Sequence, residues 1–317
     1  GEGRFQGIMA LGGGGGTSVA CSAMRALPLG VPKVMVSTVA GGDVSGYIGV
    51  SDIVMIPSIV DVLGVNRISR EVFARAAGAL SGMVNTIVPS GDDKPLIAAS
   101  MFGNTTICVE AAKEILESAG YEVLVFHATG TGGRTMEGLI ESGRITGVLD
   151  ITTTEWADEL IGGVLAAGPR RLEAAALTGT PAVITPACLD MVNFWAPETV
   201  PPEFKNRTFY PHNPNITLMR TTPAECRELG RILAEKINMS TGPVKVLLPL
   251  KGWSVIDAPD GPFWLPEAND ALHAALKERV RKDIEVIEVD ANVNDSDFSN
   301  LAAYILLELI QSASKSG

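Results

Sequence analysis

Short apolar runs alternate along the chain with longer stretches that carry apolar residues every three or four positions. This alternation predicts strands followed by helices. The first apolar run covers residues 5–11, and a helix is predicted over 17–27. Strands at 33–39 and 51–57 follow, and then a helix over 69–88, which we expect Ser69 to cap. These elements predict a first domain over residues 1–90.

The same alternation resumes after a short polar stretch, residues 89–95, whose Pro, Gly and Asp content indicates a linker. The predicted elements beyond it are strands at 96–101, 122–127, 147–151, 182–185, 215–219, 244–248 and 284–289, and helices at 104–119, 132–142, 222–238, 267–280 and 297–313. Residues 204–215 are predicted to form a loop long enough to act as a lid. Repeated strand–helix units are typical of parallel sheets with helices on both faces. We therefore predict an α/β protein with two Rossmann-like domains, 1–90 and 95–317, whose parallel sheets are flanked by helices.

The first predicted domain is short for its class. It has about three strands, whereas a doubly wound sheet usually has about five or six, with the glycine loop near the middle of the sheet. We expect residues 1–90 to be the C-terminal part of a Rossmann-like nucleotide-binding domain, whose remaining strands are missing or come from elsewhere.

Composition and charge exclude several classes of protein. Hydrophobic residues make up 46% and charged residues 19%, which argues against intrinsic disorder. The chain has no run of about 18 apolar residues, so no membrane partner is expected. The 25 basic and 36 acidic residues give a net charge of −11, which argues against nucleic acid as a partner. Four cysteines without a CxxC pair are expected to be reduced thiols of a cytoplasmic protein. The mean hydropathy of +0.24 predicts a homodimer or larger oligomer.

The strongest candidate site joins the first predicted strand to the first predicted helix. It consists of five glycines and two hydroxyl residues: Gly12, Gly13, Gly14, Gly15, Gly16, Thr17 and Ser18. Glycine lets the backbone bring its N–H groups against an anion, and the following helix adds the positive end of its dipole. The order predicts a loop that binds the phosphates of a nucleotide. The competing interpretation is a loop that contains glycine for tight packing alone, in a domain that serves only for interactions with other proteins.

A second loop, residues 37–43, follows the next predicted strand and should emerge at the same edge of the sheet. We expect Thr38 to join the nucleotide site and Asp43 to meet a ribose hydroxyl or a metal, or else to act as a turn residue. Neither loop matches a Walker motif or a clean dinucleotide fingerprint, since no Gly-Lys-Thr/Ser sequence is present and no acidic residue ends the second strand.

The second predicted domain has its own glycine loop after a strand. We expect a second anion site there, made of Thr129, Gly130, Thr131, Gly132, Gly133 and Arg134, with Lys251 from a later strand end. These donors suit a carboxylate or a phosphate. His127 is the candidate proton carrier and Glu155 its carboxylate partner, although a lone histidine at a strand end also fits a structural role.

The strand ends of this domain support an alternative function. Residues 152–155, 188–190 and 251–254 all follow predicted strands, and a parallel sheet brings such ends to one edge. The alternative is a metabolic enzyme that acts on a small carboxylate or phosphorylated substrate at this edge. The sequence assigns no reaction, and no spacing of His, Cys, Asp and Glu indicates a metal site.

Several long motifs resemble those of a known family. The segments are GGGGGTSVACSAMRALPLGVPKVMVSTVAGGDVSGY, FHATGTGGRTMEGLIESG, DITTTEWADELIGG, TPACLDMVNFW and LPLKGWSVIDAPDGPF. They resemble the ATP-binding inhibitory domain of the plant tobamovirus-resistance protein family and its uncharacterised bacterial relatives, over essentially the whole chain.

The resemblance implies two α/β domains, a homodimer, and ATP, with or without Mg²⁺, bound by the first domain. Gly12–Thr17 matches the family's glycine-rich nucleotide loop. Members of the family carry further N-terminal strands that contribute nucleotide contacts. In the plant protein this domain binds the helicase part of a viral replication protein, a partner that we do not transfer to this chain.

Overall fold

The computed structural model describes residues 5–89, 91 and 93–316, and the chain divides into two compact units, Gly1–Asp93 and Lys94–Gly317. Residues 1–4 of the predicted first domain, and Ser90 and Asp92 of the predicted linker, lie outside the described residues. Each unit is an α/β layer structure, so the predicted fold class, parallel sheets flanked by helices, is confirmed.

Within its described residues, unit 1, Gly1–Asp93, contains three parallel strands in the order β1-β2-β3 and three helices. The strands are β1 (Ile8–Gly12), β2 (Lys33–Ser37) and β3 (Ile53–Pro57), and the helices are α1 (Gly14–Arg25), α2 (Ser45–Ile48) and α3 (Arg67–Asn85). Side chains of α1 cover one face of the sheet and side chains of α3 the other. Gly12 pairs with Ser37 and Ser37 with Pro57, so the carboxyl ends of the three strands lie side by side.

The start of α3 differs from the prediction. The Asn66 side chain accepts hydrogen bonds from the N–H groups of Ile68 and Ser69, both at 2.9 Å, and the Ser69 hydroxyl accepts one from the Asn66 N–H at 2.8 Å. This reciprocal pair is a capping box. The predicted cap, Ser69, is therefore wrong: Asn66 caps the helix, and Ser69 is its partner three residues later.

Unit 2, Lys94–Gly317, contains nine strands and seven helices within the described residues. The strands are β4 (Leu96–Met101), β5 (Glu122–His127), β6 (Ile145–Thr152), β7 (Ala182–Ala187), β8 (Met191–Phe194), β9 (Phe209–Asn213), β10 (Ile216–Arg220), β11 (Val244–Pro249) and β12 (Glu285–Val289). The helices are α4 (Thr106–Ser118), α5 (Thr131–Glu141), α6 (Glu155–Ile161), α7 (Glu173–Thr178), α8 (Pro223–Asn238), α9 (Pro266–Arg279) and α10 (Ser296–Ser316).

Six of these strands form a parallel sheet in the order β12-β11-β7-β6-β4-β5. Neighbouring residues of β11 point to opposite faces: Val246 packs in the core cluster that contains Leu233 of α8 and Leu272 of α9, and Leu247 packs in the cluster that contains Leu306 of α10. The chain order reverses between β4 and β6, which is the switch point where open α/β sheets form ligand crevices. The two core clusters bury both faces of this sheet. Because of the switch point, a ligand site is expected at its carboxyl edge.

A small antiparallel sheet, ordered β8-β10-β9, differs from the prediction. Residues 204–215 contain β9 rather than only a loop, and the strand predicted at 215–219 is β10, which pairs here and not in the parallel sheet. Pro211 lies inside β9 and weakens its strand pattern, as is usual for a proline on an edge strand. Among the helices that the structure describes, none is long and apolar enough to cross a bilayer.

Candidate functional site

The glycine run lies at the carboxyl edge of the sheet in unit 1. Gly12 ends β1, Gly13 is the N-cap of α1, and Gly14, Gly15 and Gly16 form the first turn of the helix. The first internal bond of the helix is donated by the Thr17 N–H to the Gly13 carbonyl at 2.8 Å. Within the described part of the chain the N–H groups of Gly14, Gly15 and Gly16 donate to no protein acceptor. Three free donors thus point out of the positive end of a helix of 12 residues.

The space around each glycine shows where the fold itself requires it. A Cβ placed on Gly12 would lie 3.0 Å from the Cα of Gly16, so close packing against the helix backbone favours glycine there. A Cβ on Gly14 would meet nothing closer than the Tyr47 hydroxyl at 3.7 Å, and one on Gly15 would meet nothing within 4 Å. Neither glycine has a positive φ, and glycine in a helix costs about 1 kcal/mol relative to alanine. The fold therefore does not explain the glycines of the first turn.

The hydroxyl residues of the run differ in access. The Thr17 side chain is fully buried; its hydroxyl donates to the Gly13 carbonyl at 2.8 Å and lies 2.6 Å from the Ser37 hydroxyl. Thr17 therefore fastens the loop to β2. Ser18 and Thr38 are exposed, and the Thr38 hydroxyl would lie 3.7 Å from a Cβ on Gly13. Of the three, Ser18 and Thr38 have hydroxyls that a ligand can reach.

Asp43 is held in a local turn. Its carboxylate accepts a hydrogen bond from the Ser45 N–H at 2.9 Å, and the hydrogen bonds with Ser45 lower the pKa of this exposed side chain. This hydrogen bond corresponds to the turn role, which the sequence offered as the alternative to a contact with a ribose hydroxyl or a metal.

A cavity of about 360 Å³ opens at the ends of β2 and β3 in unit 1. Its lining is mostly polar or backbone: Thr38, Gly41, Pro57, Ser58, Ile59, Val60 and Asp61. Ile59 has a φ of +66°, which is rare for a β-branched residue and marks strain at this point of the loop. Asp61 supplies the carboxylate of this cavity. It was not among the candidates from the sequence because it lies four residues beyond the end of β3.

The glycine loop of unit 2 already holds a carboxylate of the protein. Oε1 of Glu155 accepts hydrogen bonds from the N–H groups of Gly130 at 2.7 Å and Gly133 at 3.1 Å. Its Oε2 accepts one from Nε of Arg171 at 2.6 Å, and Glu155 is 1% exposed. Glu155 therefore contacts the loop amides and Arg171, and both of its oxygens have donors.

The glycines of this second loop have packing reasons. A Cβ on Gly130 would lie 2.6 Å from the Ala166 carbonyl oxygen, and Gly130 also has a φ of +79°. A Cβ on Gly132 would overlap the His127 carbonyl, and one on Gly133 would overlap the Glu155 carboxylate. The two glycine loops look alike in sequence, but only the first has glycines that the fold leaves unexplained.

Arg171 is the centre of the buried polar network in this region. It binds Asp150 through two hydrogen bonds of 2.6 Å and Glu137 through one of 3.1 Å, besides Glu155. Burial opposes its charge, but the three carboxylates hold the pKa of Arg171 well above its ordinary value. Burial also raises the pKa of Glu137. Arg171 was not among the candidates from the sequence, although Asp150 within the apolar strand 147–151 indicated that a buried cation would be needed.

The other predicted residues of the second site are spread out. His127 is exposed and stacks on Phe102 with 5.3 Å between ring centroids, and the Arg134 guanidinium donates to the Ala166 carbonyl at 3.1 Å. The hydroxyl of Thr129 donates to the His127 carbonyl, and that of Thr131 accepts from Arg134. Lys251 forms an ion pair with Asp290 at 2.9 Å.

Lys251 follows β11, whereas the loop 129–134 follows β5, and three strands of the sheet lie between them. Four strand spacings of about 4.8 Å amount to roughly 19 Å. The structure therefore does not bring Lys251 to the other donors of the predicted second site.

A second buried cluster lies where the ends of β7 and β11 meet. The Ser254 hydroxyl donates to Asp190 at 2.9 Å, and the Arg220 guanidinium lies 3.5 Å from Asp257. One oxygen of each aspartate has no hydrogen-bond partner among the described residues. Burial, with the charge of Asp257 added, raises the pKa of Asp190 to about 7, and burial raises the pKa of Asp257 as well. The predicted meeting of residues 188–190 and 251–254 thus occurs, but it encloses a buried acid pair.

Comparison with known proteins identifies relatives across the whole chain. A family model described as the N-terminal domain of an uncharacterised protein family, UPF0261, matches residues 1–89, and the model of its C-terminal domain matches residues 94–310. A UPF0261 protein of Clostridium tetani is 53% identical over 312 residues, which cover 98% of this chain and 77% of the relative. UPF0261 protein RA0729 of Rhizobium meliloti is 51% identical over 298 residues, 93% of this chain and 75% of the relative.

A plant protein is similar over the same length. The ToMV resistance protein Tm-1(GCR237) of Solanum lycopersicum is 44% identical over 316 residues, which cover 97% of this chain but 42% of the tomato protein. The chain therefore spans less than half of that relative, and the activity of the whole tomato protein does not follow for it.

Proposed function

The chain belongs to the uncharacterised protein family UPF0261, and we propose that its unit 1 is a nucleotide-binding domain. The phosphates bind at the first turn of α1, on the N–H groups of Gly14, Gly15 and Gly16. The ligand is ATP, with or without Mg²⁺, as the resemblance to the tobamovirus-resistance family implies.

One observation carries this proposal. The first turn of α1 contains three glycines, and their N–H groups donate to no acceptor in the described part of the chain. Gly14 and Gly15 have space for a larger side chain and an ordinary φ. A side chain there would stand between an anion and the backbone donors. A ligand that approaches the backbone closely gives glycine a use that offsets its cost in a helix.

The surroundings fit the rest of a nucleotide. The cavity of about 360 Å³ lies at the adjoining strand ends and includes Thr38, which also lies beside Gly13. Asp61 supplies a carboxylate that a ribose hydroxyl or Mg²⁺ would meet. We therefore assign Asp61, in addition to the sequence-based candidates Ser18 and Thr38, to the ligand side of the site.

The test is calorimetry with ATP on Gly15→Ala and on a matched control, Gly78→Ala. Gly78 lies within α3 and also has nothing within 4 Å of its Cβ position. Both substitutions should raise the free energy of unfolding by up to about 1 kcal/mol, because alanine favours a helix over glycine. Only Gly15→Ala should weaken ATP binding, by at least about tenfold, which corresponds to about 1.4 kcal/mol.

Equal ATP affinity of Gly15→Ala and the wild-type protein would refute the assignment of the phosphates to this turn. If the wild-type protein binds neither ATP nor another nucleotide, the packing interpretation is favoured instead, in which the domain serves only for interactions with other proteins.

The alternative, a metabolic enzyme with its site in unit 2, has weaker support. The amides of Gly130 and Gly133 already hold the Glu155 carboxylate, and Lys251 is ion-paired elsewhere. An anionic metabolite would have to displace a buried glutamate that Arg171 also binds. We therefore place the nucleotide function first.

A further inference from the structure

A second cavity, of about 380 Å³, lies in unit 2 and takes no part in either site described above. It lies between the proline-rich turns of residues 197–205 and the antiparallel strands β9 and β10, and we name it the proline cavity. Its walls are four prolines together with Val200 and Phe209. The volume is within the range of small-molecule pockets, roughly 300–1,000 Å³.

The proline cavity has rigid walls. Thr217 of β10 pairs with Pro211 of β9, so the two side chains lie next to each other on one face of the small sheet, and Phe209 lies on that face two residues earlier. The opposite wall is made by two short 3₁₀ turns that begin at Pro197 and Pro202. Proline fixes φ in these turns, which therefore lose little freedom when a ligand binds.

Two polar groups of the proline cavity have no side-chain partner among the residues that the structure describes. The Thr217 hydroxyl is buried without a hydrogen bond to any described residue, and Thr217 is 4% exposed. Leaving such a group unpaired is costly, so a partner is expected for it. Lys205 lies at the cavity and forms no ion pair within the part of the chain that the structure describes. Glu198 and Glu203 lie on the same turns but do not line the cavity.

We propose that the proline cavity binds a small organic acid with an apolar body. The apolar body contacts the prolines and Phe209, and the oxygens of the acid accept hydrogen bonds from the Lys205 ammonium and from the Thr217 hydroxyl, which a rotation of the Thr217 side chain about Cα–Cβ brings into the cavity. The concave shape of the cavity favours a small molecule over a protein surface, because a flat partner would not fill it. The site is formed by residues of unit 2.

The test compares acids with a neutral amide on the full chain by calorimetry. The probes are 4-phenylbutyrate, hexanoate and 4-phenylbutyramide. We expect at least one acid to bind, and the amide to bind about fivefold more weakly than 4-phenylbutyrate because it cannot pair with an ammonium. Lys205→Met should lower the affinity for the acid to that for the amide. The matched control Lys282→Met, at an exposed lysine elsewhere in unit 2, should change neither affinity.

Thr217→Val gives an independent readout, because it keeps the shape of the side chain and removes the unpaired hydroxyl. We expect the ligand-free variant to melt at a higher temperature than the wild-type protein, and its affinity for the acid to fall roughly three- to tenfold. A structural role for the hydroxyl would instead lower the melting temperature and leave the affinity unchanged.

Two results would overturn the proposal. One is that neither acid binds the wild-type protein at about 10 mM, well above the millimolar Kd of a weak ligand. The other is equal affinity for the acid and the amide with no effect of Lys205→Met, which would indicate a cavity for an uncharged apolar group, such as a side chain of a partner protein.

Discussion

At the residue scale, the neighbours of a glycine decide what the glycine is for. A Cβ on Gly133 would collide with the Glu155 carboxylate and one on Gly12 would be crowded by the backbone of Gly16, whereas Gly15 has open space. Buried carboxylates differ in the same way: Glu155 has donors for both oxygens, whereas Asp190 has a donor for only one among the residues that the structure describes. A ligand or a proton is expected where the protein leaves a polar group unpaired.

Asp190 supplies a pH-dependent prediction. Its pKa is raised to about 7 in the folded protein from an unfolded value of 3.8. Between these values the folded protein binds a proton that the unfolded chain does not. The free energy of unfolding should therefore fall as the pH rises from about 4 to about 7. Asp190→Asn removes this titration, and its amide oxygen can still accept the bond from Ser254.

The measurement is urea denaturation of the wild-type protein and Asp190→Asn from pH 4 to pH 7.5. We expect a shallower loss of stability with pH in the variant, by up to about 1.4 kcal/mol per pH unit. Buried Asp158, whose pKa is also raised to about 7, is present in both proteins. It therefore does not contribute to the difference in slope between the wild-type protein and Asp190→Asn. Asp260→Asn, at an exposed aspartate, is the control and should keep the wild-type slope. Parallel curves for the wild-type protein and Asp190→Asn would contradict a protonated Asp190.

At the element scale, the strongest patterns were read correctly. The strands predicted at 96–101 and 122–127 have those bounds as β4 and β5, because each is an apolar run between clear breaks. The predicted start of α1 at residue 17 is three residues late, since three glycines are poor evidence for a helix. The short helices α2, α6 and α7 were missed because four to seven residues make no more than about two helical turns, and the strands β8 and β9 were missed because polar residues or proline interrupt their apolar runs.

The parts of the sites that could be predicted are those that occupy regular positions along the chain. The glycine loops follow strands, and a regular position of that kind can be read from the sequence. Arg171 lies in an irregular segment, and it reaches Glu155, Asp150 and Glu137 only through the packing of α5 and β6 around it. No spacing along the chain encodes such contacts. The sequence therefore could not show that the Glu155 carboxylate binds the amides of the second glycine loop.

The capping box of α3 gives a prediction for one element. Asn66→Ala removes the acceptor of two backbone N–H groups and should lower the stability of α3 by about 1 kcal/mol. All four tryptophans lie in unit 2, so tryptophan fluorescence does not report on this helix, and hydrogen exchange of residues 67–85 should be measured instead. Exchange should become faster. Asn85→Ala, at the other end of the helix, is the control with a smaller change, and equal exchange in the wild-type protein and Asn66→Ala would argue against the cap.

At the scale of the whole molecule, the chain combines a net charge of −11 with a mean hydropathy of +0.24. Part of its apolar surface is concentrated in unit 1 beyond β3, where Ile59 is 74%, Leu63 89% and Val65 69% exposed. Several exposed apolar side chains within one short segment of the chain are typical of surfaces that bind another protein. We expect this segment to contribute to the contact between two copies of the chain.

Light scattering at micromolar concentration should therefore give a mass of twice 33.3 kDa for the wild-type protein. Leu63→Asp should shift the mass toward 33.3 kDa, because a charge in an apolar interface loses its hydration without gaining a partner. Ile107→Asp places the same charge at a residue that is 60% exposed on α4 of unit 2, and it should leave the dimer intact. A wild-type mass of 33.3 kDa would refute the homodimer, and a dimer that survives Leu63→Asp would place its contact on another surface.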